Sequence, residues 1–102
     1  MKKAADFLKK DTKTWVNELT RLYEFEDRHI RILNLAGECW DRMGEIRELL
    51  RVEGYQITDR FEHKRVNPLL AEERAQKKLF AQLVRELGLD LEATEVPRLP
   101  KR

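Results

Sequence analysis

The stretch from Glu26 to Glu53 constrains this chain most, because it contains no proline and is followed at once by Gly54. Apolar side chains recur along it at alternating intervals of four and three residues, the pattern of a helix that packs along another helix. This apolar seam consists of Ile32, Ala36, Cys39, Met43, Ile46 and Leu50. At about 1.5 Å per residue the helix is roughly 42 Å long, whereas a small domain is about 30 Å across. We therefore expect part of the helix to pack against a second subunit.

The size and composition of the chain favour a single, mainly α domain. It has 102 residues, of which 39% are charged, with only four glycines and three prolines. Such a length predicts one domain, and so many charges predict long solvated helices rather than a turn-rich sheet protein. We predict one helical domain over residues 1–91 and an extended tail over residues 92–102, where prolines exclude regular helix.

A short helix is predicted before the long one, over residues 11–23. Asp11 is expected to cap it, and Trp15, Leu19 and Leu22 form its apolar face, with Val16 and Tyr23 beside it. Residues 1–10 are weakly patterned, so we expect a frayed start.

After the long helix the apolar period changes from helical to alternating. Residues 55–66 therefore predict a small β-hairpin, which is marginal in water unless it leans on a helix or on a neighbouring chain. Asn67 followed by Pro68 favours a helix start. The predicted third helix runs to about residue 87 and packs back on the long helix.

A second apolar face with two glycines lies beside the seam. Glycine in a helix interior costs roughly 0.5–1 kcal/mol relative to alanine, so its presence suggests a groove where another element approaches closely. This glycine face consists of Ile30, Leu33, Gly37, Trp40 and Gly44. We expect it to contact the neighbouring subunit of a homo-oligomer; the alternative is that the glycines are simply tolerated on the surface.

Positive charge is concentrated at the two ends of a chain whose net charge is only +2. Residues 1–14 contain five Lys and two Asp, and residues 97–102 contain three basic residues and no acid. Basic ends can contact phosphate, or they can simply keep a chain soluble. The DNA-binding candidates are Lys9, Lys10 and Lys13 near the N-terminus and Lys64 and Arg65 in the hairpin.

The sequence shows no pattern typical of catalysis or of metal binding. It lacks a phosphate-binding glycine loop, a GxSxG or HExxH motif, and zinc-ligand spacing. The lone Cys39 lies on the seam and is expected to be a core residue. We therefore expect no enzyme activity, cofactor or metal. Without an apolar run suited to a signal peptide or membrane span, we also expect an intracellular protein with no membrane partner.

The order of several short motifs resembles the phage terminase small subunits, over roughly residues 8–91. These are the acidic joint Glu24-Phe25-Glu26-Asp27, Ala36 and Trp40 on the long helix, the run from Glu48 to Gly54, Asn67-Pro68, and the run from Leu83 to Asp90. The family often has His where this chain has Asn67, and many members have a longer basic N-terminal extension. The shorter extension here leaves less N-terminal charge for DNA contact.

The resemblance implies a non-catalytic DNA-packaging subunit. Such a subunit would assemble into a ring, bind double-stranded phage DNA and present it to the terminase large subunit in the cytoplasm of the bacterial host. The expected contact with the large subunit is the C-terminal tail, through Pro97, Arg98, Pro100, Lys101 and Arg102. Two alternatives remain open: a helical oligomerisation or adaptor module, and a small dimeric DNA-binding transcription regulator.

Overall fold

The structure, a computed structural model, describes residues 3–89 and confirms the mainly helical fold. In chain order the elements are α1 (Lys10–Leu22), α2 (Asp27–Glu53), β1 (Gln56–Thr58), β2 (Lys64–Val66) and α3 (Leu69–Glu86). The predicted contact of the C-terminal tail with a large subunit lies outside the described residues.

Helix α1 begins one residue earlier than predicted and is not capped by Asp11. Its N-cap residue is Lys9, which makes no side-chain capping hydrogen bond. A carboxylate from another element takes this place, because Asp41 of α2 accepts the backbone N–H of Lys9 at 2.8 Å. The cap is therefore long-range, which a local sequence pattern cannot show. The buried face of α1 contains Trp15 and Leu19, as predicted, together with Val16, whereas the predicted Leu22 is 48% exposed.

Helix α2 has the expected length, and both of its ends are defined by local chemistry. At its start, Glu26 and His29 form a capping box in which each side chain accepts the backbone N–H of the other residue. At its end, Gly54 adopts a φ of +87° and donates its N–H to the carbonyl of Leu50 at 2.7 Å. A positive φ favours glycine because it has no Cβ. The seam is buried from Ala36 to Leu50, as predicted.

Residues 3–9 form an N-terminal strap on α2, so the expected frayed start is wrong for this part of the chain. Asn34 of α2 accepts the N–H of Ala5 at 2.7 Å and donates to the carbonyl of Lys3 at 3.0 Å. Asn17 of α1 accepts the N–H of Ala4 at 3.1 Å. Leu8 is buried. Polar side chains from two helices thus satisfy backbone groups of a segment that has no secondary structure of its own.

Helix α3 runs antiparallel to α2 and closes the core. Near the middle of α2, Trp40 lies 5.3 Å from Phe80, measured between ring centroids. Towards the end of α2, Arg47 pairs with Glu73 at 2.9 Å. Trp15 of α1 also contacts Phe80, at 6.1 Å. The first half of α2 is therefore covered by α1, the strap and α3, whereas its second half is packed mainly on α3.

Part of the glycine face is buried within the chain rather than open to a neighbouring subunit. Leu33 is fully buried within the chain. A Cβ on Gly37 would lie 2.9 Å from Thr12 Cγ2 and 3.3 Å from the Leu8 methyl groups. Trp40 is half-buried and packs against this core. The close approach suggested by the glycines is real, but α1 and the strap make it from the same chain. For Leu33 and Gly37 the predicted subunit interface is wrong; Ile30 and Gly44 are half-buried.

The predicted hairpin is present and is largely unsupported. β1 and β2 pair antiparallel, with Gln56 opposite Val66, Ile57 opposite Arg65 and Thr58 opposite Lys64. Among the described residues, the extensive contacts between elements are those of α2 with α3, of α1 with α2 and of β1 with β2. The hairpin is therefore packed less extensively on the helices than the helices are on one another.

Candidate nucleic-acid interface

The structure brings the three N-terminal lysines together at the start of α1. Lys9 is the N-cap residue, and Lys10 and Lys13 lie in the first turn. Lys9 and Lys10 are exposed, and Lys13 is half-buried. Because the strap is tied to α1 and α2, the backbone that carries these side chains is fixed. We call Lys9, Lys10 and Lys13 the α1 lysine group.

Acidic side chains of α2 lie close to part of the α1 lysine group. A surface groove beside the strap is lined by Lys9 together with Glu38, Asp41, Arg42 and Glu45 of α2, and Arg42 pairs with both glutamates. Asp41 accepts hydrogen bonds from the Lys9 backbone N–H and from the Thr12 hydroxyl. A carboxylate therefore already occupies the start of α1, where the positive end of the helix dipole attracts anions. Any phosphate contact in this region must come from the lysine ammonium groups rather than from the helix start.

The hairpin loop is organised by one carboxylate, that of Asp59. Its Oδ1 accepts the backbone N–H groups of Phe61 and His63, at 2.8 and 2.9 Å. Its Oδ2 accepts Nε–H of Arg65 at 2.8 Å. The hydrogen bond from Arg65 and those from the two backbone groups hold the pKa of Asp59 below its ordinary value of 3.8. Asp59 thus fixes both the loop and the position of Arg65.

Lys64 and Arg65, the two hairpin candidates, do not form one patch. They are neighbours on β2, so their side chains point to opposite faces of the hairpin. The guanidinium of Arg65 is engaged by Asp59, while Lys64 is exposed. One phosphate cannot be contacted by both residues. Lys64 is therefore the better placed of the two for a phosphate contact.

Arg60 is a hairpin cation that the sequence analysis did not single out. Its guanidinium lies 5.0 Å from the centre of the Phe61 ring, which is 65% exposed. The pairing of an exposed aromatic ring and a cation at a loop tip depends on how the turn folds. In the sequence, this contact is indicated only by the fact that Arg60 and Phe61 are neighbours.

The lysine group and the hairpin are separate surfaces. The lysine group lies beside Asp41, and the hairpin begins just after Glu53. Twelve residues of helix separate these positions, which corresponds to about 18 Å along α2. The structure thus presents two basic regions on one rod rather than a continuous patch.

Asn67 connects the hairpin to the helices. The sequence predicts only one part of this role, the cap at the start of the third helix. Its Oδ1 accepts the N–H of Leu69 at 3.0 Å, at the start of α3. Its Nδ2 donates to the carbonyl of Gly54 at 2.9 Å and to Glu53 Oε1 at 3.2 Å. The side chain is 2% exposed. It therefore sets the relative position of the end of α2, the hairpin base and α3.

The other features of residues 3–89 concern metal ligands, the cysteine and the helix length needed to cross a membrane. No group of three or more His, Cys, Asp or Glu side chains in this part of the chain could hold a metal ion. Cys39 is buried, and its burial raises the pKa of the thiol. No helix in the described range is long and apolar enough to cross a membrane.

Comparisons with protein families, with characterised proteins and with solved structures give no match. Over residues 3–89, the fold defines the class: three helices with a hairpin between the second and the third.

Proposed function

We propose that the chain is a non-catalytic viral DNA-packaging subunit that oligomerises, binds double-stranded phage DNA and presents it to a terminase large subunit. The observation that carries the DNA-binding part is the α1 lysine group, held on a fixed backbone by the strap and accompanied by Lys64 on the hairpin. Exposed lysines on a rigid element bind the phosphate backbone without reading the base sequence. The resemblance of the sequence to terminase small subunits supports the packaging role.

The DNA-binding proposal predicts a defined salt dependence. Each lost phosphate contact lowers the slope of log affinity against log salt by about 0.9. Replacing Lys9, Lys10 and Lys13 together with Gln should therefore reduce the slope by up to about 3 and weaken binding at low salt. Fluorescence anisotropy with a labelled duplex, titrated at several salt concentrations, measures both effects.

A matched control removes three positive charges elsewhere on the surface. Arg74, Lys77 and Lys78 are exposed residues of α3, and their triple replacement by Gln changes the net charge equally. We expect the control to retain most of the wild-type slope. Equal losses in the two triple variants, or no binding by the wild type, would contradict a DNA site at the α1 lysine group.

The assembly, partner and location belong to the same proposal. We propose a ring of subunits in the cytoplasm of the bacterial host, with the large subunit contacted by the C-terminal tail. Native mass spectrometry tests the ring, because a closed assembly of many subunits supports it, whereas a dimer that binds one defined palindromic site favours a small transcription regulator. Deleting residues 92–102 should abolish binding to the large subunit and leave DNA binding unchanged.

One observation favours the alternative of an oligomerisation or adaptor module. Several large apolar side chains near the hairpin are uncovered, including Val52 at 71% and Tyr55 at 69% exposure. Exposed apolar side chains concentrated in one region are typical of protein contacts rather than phosphate contacts. A chain that oligomerises but does not bind DNA would support this alternative.

A further inference from the structure

The hairpin has two outer edges, and the two edges differ in charge. Sheet edges in native proteins are commonly protected from further pairing by charged side chains, especially lysine. β2 carries Lys64 and Arg65 and is protected in this way. β1 consists of Gln56, Ile57 and Thr58 and carries no charge. The edge of β1 is therefore open to another strand.

The backbone pattern shows which groups β1 offers at this edge. On the side towards β2, the Tyr55 carbonyl accepts the N–H of Asn67 at 2.7 Å, and Asp59 donates its N–H to the carbonyl of His63 at 3.0 Å. Backbone groups of successive residues in a strand alternate in direction. Those of Gln56 and Thr58 consequently point away from β2, and both residues are exposed. Their N–H and C=O groups are available to a partner strand.

We propose that this edge pairs antiparallel with the same edge of a second copy of the chain, giving a four-stranded sheet of order β2-β1-β1-β2. The pairing is self-complementary. Gln56 of each copy lies opposite Thr58 of the other, in hydrogen-bonded pairs. Ile57 lies opposite its own counterpart in the non-hydrogen-bonded pair between them, where side chains approach most closely.

The charges and apolar groups around the edge fit a second copy. Asp59, the first charged residue after β1, is already paired with Arg65 of its own hairpin, so pairing of the strands brings no unpartnered charge to the junction. Ile57 is only half-buried in the single chain and would be covered by its counterpart. The same self-pairing through β2 would place Arg65 opposite Arg65, which like charges disfavour.

Pairing with a second copy would also stabilise the hairpin, which has little support in the single chain. An isolated two-stranded hairpin is marginal in water, whereas a sheet of more strands is not. This hairpin has no extensive contact with the helices among the described residues. Tyr55, which would flank the new pair, is 69% exposed. A contact of this kind relates two copies by a two-fold axis and closes as a pair, so a larger ring would require a second surface.

Disulfide cross-linking tests the geometry directly. Cys39, the single cysteine of the chain, is buried, so an introduced surface thiol can be assayed in the natural background. Opposed residues in a non-hydrogen-bonded antiparallel pair have Cβ atoms about 4.5–5.5 Å apart, close to disulfide distance. We expect Ile57→Cys to form a covalent dimer under mild oxidation. Val66→Cys, at an uncharged position of β2 that is 68% exposed, should form at least tenfold less covalent dimer.

A pair of proline variants tests the hydrogen bonds without relying on a thiol. Gln56→Pro removes an N–H that points outward from β1, and Val66→Pro removes the matching outward N–H of β2. Neither substitution removes a backbone N–H that is hydrogen-bonded between β1 and β2, and proline is tolerated at such edge positions. Sedimentation equilibrium should show the dissociation constant of the dimer rising at least tenfold for Gln56→Pro and staying near the wild-type value for Val66→Pro. Circular dichroism confirms that both variants remain folded.

Three results would overturn the proposal: equal cross-linking of both cysteine variants, equal effects of both prolines, and a wild-type chain that stays monomeric. A monomer whose DNA affinity falls in Gln56→Pro and not in Val66→Pro would instead assign the edge to nucleic acid. Cross-linking and sedimentation equilibrium are both measured without DNA. A negative result in these experiments is therefore distinct from failure of the proposed DNA site.

Discussion

At the scale of single residues, the molecule depends on polar side chains that reach between segments distant in sequence. Asn34 holds the strap, and Asp41 caps α1 from α2. Gly37 allows the strap and Thr12 to lie against α2. The local sequence indicates a close approach at Gly37, but it gives no sign of the roles of Asn34 and Asp41. Their roles follow from which segment folds onto them.

The close contact at Gly37 gives a prediction for stability. Alanine in a helix is favoured over glycine by about 0.5–1 kcal/mol, but its Cβ would lie 2.9 Å from Thr12 Cγ2. Thr12 is held by its hydrogen bond to Asp41, and overpacking of this kind costs about 1–3 kcal/mol. We expect Gly37→Ala to lower the free energy of unfolding by about 1 kcal/mol, as measured by urea denaturation.

A double-mutant cycle isolates the cause. Thr12→Ser keeps the hydroxyl that bonds Asp41 and removes the methyl group nearest to the new Cβ. In that background, Gly37→Ala should be close to neutral or stabilising. If Gly37→Ala stabilises the protein equally in both backgrounds, the close contact does not exist in solution.

At the scale of elements, the hairpin is the segment with the least support from its surroundings. Its strands are three residues each, and its loop is held by the carboxylate of Asp59. The hairpin is consequently the element whose order should respond most to a change in one titrating group.

Acid should loosen the hairpin before it unfolds the helices. The pKa of Asp59 is lowered in the folded chain, so its stabilising effect is fully present above the unfolded pKa and is lost as pH falls through the folded pKa. We expect the amides of Phe61 and His63 to lose their native chemical shifts as the pH is lowered below 3.8, the ordinary pKa of the Asp59 carboxyl. Two-dimensional NMR follows these amides individually.

The matched variants are Asp59→Asn and Glu62→Gln, which each remove one negative charge from the same loop. Asp59→Asn should abolish this acid transition, because an amide does not titrate. Glu62→Gln should keep it. A transition that persists unchanged in Asp59→Asn would assign it to another group.

At the scale of the whole molecule, coverage of α2 is uneven along its length. The part around Leu33 and Cys39 lies beneath α1, the strap and α3 in one core cluster. The part around Ile46 and Leu50 is packed mainly on α3, and the exposed Leu49 and Val52 lie beside it. The two halves of one continuous helix should therefore differ in local stability.

Native-state hydrogen exchange measures this difference. Amides with fewer buried neighbours open through smaller fluctuations. We expect the amides of residues 46–52 to exchange at least about tenfold faster than those of residues 33–39, after correction for intrinsic rates. Uniform protection along α2 in the monomer would contradict the uneven coverage. If hairpin pairing or another subunit covers this end, protection there should rise with protein concentration.

Much of the fold could be predicted because its signals are local. The apolar spacing from Ala36 to Leu50 predicts the buried side of α2, and Gly54 predicts its end. The alternation after Gly54 predicts the hairpin. The DNA candidates Lys9, Lys10 and Lys13 could be grouped from the sequence alone, because neighbouring positions in one helical turn must lie close together.

The predicted packing of the third helix on the long helix is confirmed, whereas the inferences about what covers the glycine face and the start of the chain failed. The glycine face was assigned to a second subunit, yet Leu8 and Thr12 of the same chain fill it at Gly37. The start of the chain was expected to fray, yet residues 3–9 lie fixed on α2. The sequence predicts two DNA-binding candidates in the hairpin, Lys64 and Arg65, but Asp59 engages Arg65.

The sequence by itself determined the helices, their ends and the hairpin, because hydrophobic period, glycine and proline act through near neighbours in the chain. The tertiary structure alone decided that the strap fills the glycine face, that Asp41 caps α1, and that β1 keeps an uncharged open edge. These outcomes depend on contacts between residues up to about thirty positions apart. Such contacts are selected by packing and hydrogen-bond satisfaction over the whole chain, and no local pattern encodes them.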